Sequence, residues 1–148
     1  MLSLEACASI CDGASGKLLF YTNGVTVWDS THTPMPNGSG LMGSYTSSQS
    51  AVIVPKPGST TLYYIFTLDF QGWPNGLRYS VIDMTQNGGL GDILPPVGTN
   101  KNQLLITPVT EKLVAVPHAN CIDYWVIVHE WLTDSFYAYP VTSTGVGA

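Results

Sequence analysis

Apolar residues along this chain come in short runs, rich in β-branched and aromatic side chains and bounded by turn residues. The runs are Lys17–Thr22, Val25–Asp29, Ala51–Val54, Leu62–Phe70, Leu77–Met84, Leu104–Ile106, Leu113–Val116, Tyr124–Trp131 and Phe136–Val141. Runs of this length and composition predict strands. Asn23-Gly24, Asn37-Gly38, Asn75-Gly76 and Asn87-Gly88-Gly89 supply positive-φ turn positions between them. No stretch carries a 3.6-residue period free of Gly and Pro over the length of a helix. The pattern is all-β.

The runs repeat. Ser9–Asp12 followed by Lys17–Thr22, Ala51–Pro55 followed by Tyr63–Thr67, and Leu113–Pro117 followed by Tyr124–Val128 each read as an apolar strand, a turn and an aromatic strand. A third strand follows in each unit: Thr26–Asp29, Leu77–Asp83 and Ser135–Tyr139. In the first two units a Gly-rich connection leads to a weaker fourth segment. Unit starts lie about 45 and then about 60 residues apart, the period of a four-stranded propeller blade. The expected fold is therefore a β-propeller-like repeat of antiparallel four-stranded blades, about three in number, with units at roughly 4–49, 50–109 and 110–148 of one domain. The second strand of each blade, buried on both faces, should be continuously apolar, which makes Trp125 a core residue. The third unit is expected to stop near Thr142, because Ser143–Ala148 is too short and small to supply a fourth strand. Propellers usually carry about four to eight blades, so one chain does not close the ring. An open strand edge favours strand addition from another chain.

Composition narrows the function classes. The 148 residues hold 5 Lys+Arg and 10 Asp+Glu, a net charge of −5 with pI near 4.8. Nucleic acid as a partner is thereby disfavoured, since a phosphate-binding groove needs clustered cations. No apolar run approaches the roughly 20 residues of a membrane span, and Met1 to Phe20 lacks the basic head and long apolar stretch of a signal peptide.

Several motifs together resemble a WD40-like propeller module: Lys17–Gly24, Met35–Leu41, Ala51–Gly58, Tyr63–Phe66, Leu77–Ser80, Asn87–Asp92, Thr110–Leu113 and Asp123–Glu130. That module occurs in large secreted and surface proteins of Bacteroidetes, often beside gliding-motility-type C-terminal sorting domains. The resemblance implies an N-terminal stretch of a propeller of about seven or eight blades, extracellular or at the cell surface, without established catalytic residues. It also implies a further strand upstream of Ala6–Ile10 and several blades downstream.

Candidate chemistry is sparse. His32, His118 and His129 are not spaced as zinc ligand pairs, and His129 and Glu130, adjacent on a strand, point to opposite faces. No metal or cofactor is expected. The three cysteines, Cys7, Cys11 and Cys121, leave at least one thiol without an intrachain partner. Cys7 and Cys11 lie about 13 Å apart on an extended chain, too far for a bridge, and packed or free thiols are expected. Asn87-Gly-Gly-Leu-Gly-Asp92 is similar to one imperfect calcium-binding nonapeptide, and a glycine-rich blade connection is the simpler reading. Asp12, Asp29, Asp69, Asp83, Asp92, Asp123 and Asp134 all sit beside turns, where Asp caps backbone N–H groups.

Trp73 stands apart from the other aromatics. In Gln71-Gly-Trp-Pro-Asn-Gly76 it falls in a hairpin connection, and loops at one end of a scaffold often carry binding. Trp73, Asn75 and Gln71 form the candidate ligand site, with the ring stacking on a sugar and the amides bonding its hydroxyls. The leading expectation is a non-catalytic scaffold or binding module recognising glycan or protein, in partnership with other copies of itself or the remainder of a longer propeller. The alternatives are a structural subunit that forms oligomers or filaments by completing open sheets between chains, and a glycoside hydrolase using paired carboxylates.

Overall fold

The computed structural model describes residues 4–95 and 98–147. Their ordered elements are strands, apart from a 3-10 turn at Asn87–Gly89. In chain order the strands are β1 (Ala8–Cys11), β2 (Leu18–Thr22), β3 (Thr26–Asp29), β4 (Pro34–Ser39), β5 (Ala51–Pro55), β6 (Leu62–Leu68) and β7 (Leu77–Asp83). They continue with β8 (Asp92–Ile93), β9 (Gln103–Ile106), β10 (Val109–Pro117), β11 (Tyr124–Glu130), β12 (Phe136–Thr142) and β13 (Gly145–Val146).

Three antiparallel sheets follow one another, each an up-and-down meander: β1-β2-β3-β4, then β5-β6-β7-β8 with β9 also paired to β7, then β10-β11-β12-β13. The local chemistry accounts for the hairpins. Between β2 and β3, Asn23 Oδ1 accepts the N–H groups of Val25 and Thr26 at 3.0 and 2.9 Å, and Thr22 Oγ1 accepts Gly24 N–H at 3.0 Å. Side chains that fold back on their own backbone in this way favour turns over continued strand.

The sheets stack face to face, with the second between the other two. On β6 the side chains alternate: Tyr63 and Ile65 pack with Phe20, Val27 and Met35 of the first sheet, while Tyr64, Phe66 and Leu68 pack with Val126, Val128 and Tyr139 of the third. Both faces of the middle sheet are thus apolar and covered, which is why Tyr64–Leu68 is buried without a break. Strand β1 lies beside β5 and β5 beside β10 at one side of the stack, and β4 lies beside β8 at the other.

Three expectations are corrected. The chain end does supply a fourth strand to the third sheet: β13 pairs with β12 through Val141 opposite Val146 and Thr142 opposite Gly145, and Gly147 N–H donates to Pro140 O at 2.8 Å. Ser143-Thr144 turns the chain back, so two residues suffice. Trp125 is not core, because β11 is covered on one face only; its neighbour Val126 is buried and Trp125 points the other way, partly buried. Asn37-Gly38 is not a turn but part of β4. Gly38 is required there by close approach, since a Cβ would stand 2.7 Å from Val27 O and 2.9 Å from Met35 Cβ.

Candidate functional site

The hairpin connection after β6 is built around Asp69, which is buried. Its carboxylate accepts the N–H groups of Phe70 at 2.8 Å and Asn75 at 3.1 Å, while Trp73 N–H donates to Phe70 O at 2.8 Å. The tip of the connection is pinned to the third sheet, with Gly72 N–H donating to Val109 O at 3.0 Å. Gly72 has φ +74, and a Cβ on it would lie 2.7 Å from Trp131 Cγ, so only glycine lets the loop lie flat on the indole.

This contact shapes a recess of about 370 Å³ lined by Gln71, Trp131, His129, Thr110, Glu111, Lys112 and Ser48. Glu111 is only 9% exposed, and its Oε2 accepts both the N–H and the hydroxyl of Ser48, at 2.7 and 2.9 Å. Thr110 Oγ1 is buried without a hydrogen-bond partner. One aromatic ring, one carboxylate, one amide, one ammonium and one imidazole converge on a site of small-ligand size.

The three residues expected to form a ligand site separate. Gln71 is exposed and lines the recess. Trp73 is 60% exposed on the same loop, with its ring edge-on to Phe70 at 6.1 Å, and does not line the recess. Asn75 is half-buried, and its backbone serves the loop: its N–H goes to Asp69 and its carbonyl accepts Arg78 Nε at 2.8 Å. Trp131, Glu111, Thr110 and Ser48 were not marked in the sequence, because the third sheet and the linker before β5 bring them to Gln71 from distant positions. Ser48 and Glu111 are 63 residues apart.

The remaining candidates have local partners. The Tyr21 hydroxyl lies 3.2 Å from His32 Nδ1, His118 Nδ1 accepts Asn120 N–H at 3.1 Å, and His129 packs on Phe136 at 4.7 Å. Among the described residues, no group of three His, Cys, Asp or Glu side chains is placed to hold a metal ion. Cys7, Cys11 and Cys121 are exposed free thiols. In the glycine-rich connection, Asp92 is engaged by Asn37, whose N–H and side-chain amide donate to the two carboxylate oxygens at 2.8 and 2.7 Å.

Asp12, Asp29 and Asp83 cap turns. The Ser15 hydroxyl and N–H hold the Asp12 carboxyl below its ordinary pKa. For Asp29, burial opposes ionisation, but the Thr31 hydroxyl and the N–H groups of Thr33 and Thr31 outweigh it and lower the pKa. For Asp83 the Thr85 N–H is the main cause of lowering; burial opposes it, and the Thr85 hydroxyl and Gln86 amide add to the lowering.

Set against known proteins, the chain matches no family, no curated sequence and no solved structure.

Proposed function

We propose that the chain is a non-catalytic scaffold of three propeller-type blades, extracellular or at the cell surface, that binds glycan through the loops at the Gln71 end of the stack. Three successive meanders stacked face to face, the middle one with β9 as a fifth strand, support the blade reading. The observation that carries the binding reading is the recess where the Trp131 ring, the Glu111 carboxylate and the Gln71 amide converge. A sugar ring presents an apolar face for an indole and hydroxyls for a carboxylate and an amide, so this set of groups suits a neutral carbohydrate. Hydrolysis by paired carboxylates has less support: among the described residues, Glu111 is the one carboxylate lining the recess.

A glycan array tests the reading. Wild-type protein is expected to retain a defined set of oligosaccharides, and Gln71→Ala and Trp131→Ala are expected to lose them with the fold intact by circular dichroism. Trp73→Ala, outside the recess, is expected to retain them. Absence of retention by wild type, or loss in Trp73→Ala alone, overturns the assignment of the recess.

A further inference from the structure

The fourth strand of the third sheet changes which surface is open. With β13 paired to β12, the place expected for an incoming strand is taken, and among the described residues the outer face of the third sheet carries apolar side chains that no other sheet covers. On β11, Val126 and Val128 point into the stack, so Trp125, Ile127 and His129 point out of it. Directly across from them stand Pro140, Ala138 and Phe136 of β12, and Val114 of β10 is opposite Ile127. Phe136 is 69% and Val114 46% exposed, and Val114, Ile127, His129 and Phe136, with Lys112 and Gln49 beside them, border a recess of about 270 Å³. Contiguous exposed apolar surface of this kind marks an interaction site.

The other end of the stack has a complementary face. On β2 and β3 the inward residues are Phe20 and Val27, so Tyr21 and Trp28, a directly opposed pair, face outward. Their rings stack at 5.6 Å with an interplanar angle of 12°. Within the chain the same joint is made twice: the inward face of the first sheet meets one face of the second, and the other face of the second meets the third. The outer face of the third sheet has the sense that would receive the next sheet of the series, and the outer face of the first has the sense that would be received.

We infer that the Ile127–Phe136 face of the third sheet docks the Tyr21–Trp28 face of the first sheet of a second copy, head to tail. The occupant is a second copy because the two free faces continue a stacking order the chain already uses. Such an interface is heterologous, so copies add in series and close a ring only if the rotation per copy permits it. The inference concerns assembly and does not depend on the ligand proposed for the Gln71 recess.

Sedimentation velocity tests it with two variants and their mixture. Wild type is expected to pass from the 15.9 kDa monomer to at least twice that mass as concentration rises. Ile127→Lys, blocking one face, and Trp28→Lys, blocking the other, are each expected to stay monomeric. Mixed, they are expected to form a 1:1 dimer and nothing larger, because each supplies the face the other lacks. Monomeric wild type at all concentrations overturns the inference. So does continued self-association of Trp28→Lys, which would indicate two third-sheet faces meeting, and so does a mixture that stays monomeric. Should Ile127→Lys or Trp28→Lys fail to fold by circular dichroism, Phe136→Lys and Ser9→Lys, both exposed positions of the same faces, replace them with the same expectations.

Discussion

Asn102 binds the backbone of Gly40 across the first and second sheets, its side-chain amide donating to the Gly40 carbonyl at 2.9 Å. The same side chain accepts Met42 N–H at 3.1 Å, and Asn102 N–H donates to Ser80 Oγ at 3.0 Å. Asn102 is 2% exposed, so these bonds form away from water, and its own backbone carbonyl takes Arg78 Nη1 at 2.9 Å. Replacing it by Ala removes two hydrogen bonds, one to the N–H of half-buried Met42 and one to the carbonyl of exposed Gly40. Asn102→Ala is therefore expected to destabilise the chain by about 1–3 kcal/mol, measured as a lower urea midpoint. An unchanged midpoint would mean that the two sheets are not held together there.

Burial on one face or two separates residues of the same kind. Phe66 packs between the second and third sheets and is fully buried, so Phe66→Ala is expected to cost about 3–5 kcal/mol. Phe136 lies on the outer face of the third sheet, and Phe136→Ala in dilute monomer is expected to change stability by no more than about 0.5 kcal/mol. Trp125→Ala is expected to fall between them. Equal costs for Phe66 and Phe136, read from urea unfolding, would contradict the one-sided burial of the third sheet.

Gly72 ties the loop after β6 to Trp131. An alanine there meets both a positive φ and the indole ring, and Gly72→Ala is expected to cost about 1 kcal/mol or more. The loop must also lift, so retention by the Gln71 recess should fall by more than stability does. A variant with native stability and native retention would show that the contact does not shape the recess.

Acid weakens the turns through Asp29 and Asp83. Both have folded pKa values below their ordinary one, so the unfolded chain binds protons more tightly. Their contribution is full above the ordinary value of about 3.9 and is lost as pH falls through the lower folded values. The urea midpoint is expected to drop between about pH 5 and about pH 2, and Asp29→Asn is expected to flatten that drop. A midpoint that holds constant, or rises, on acidification would contradict these caps.

The strands legible in the sequence are those densest in apolar β-branched and aromatic residues. Leu62–Phe70 and Tyr124–Trp131 announce β6 and β11 because apolar β-branched and aromatic residues fit a pleated, covered surface. Strand β4 is far less legible, with Pro34, Pro36 and Gly38 in six residues. Proline is tolerated there because the strand is at an edge of its sheet. Strand β13 carries no apolar run at all, and its place is fixed by the tight return after Thr142. Sequence does not separate Trp125 from Val126, because both are apolar and only the number of covered faces tells them apart. For the candidate site, the turn residues around Trp73 mark the loop that carries Gln71 to the recess. The partners that Gln71 meets arrive from the linker before β5 and from the third sheet, so spacing along the chain carried no sign of Trp131, Glu111 or Ser48.

The placement of the recess, the cost of Phe66→Ala and the two free end faces all depend on the middle sheet being covered on both sides. Amide hydrogen exchange along the three central strands tests this most directly. The account predicts the slowest exchange at Tyr64–Leu68 of β6, with faster exchange in β2 and β11, whose sheets are covered on one face. Protection in β6 equal to or weaker than that in β11 would contradict it.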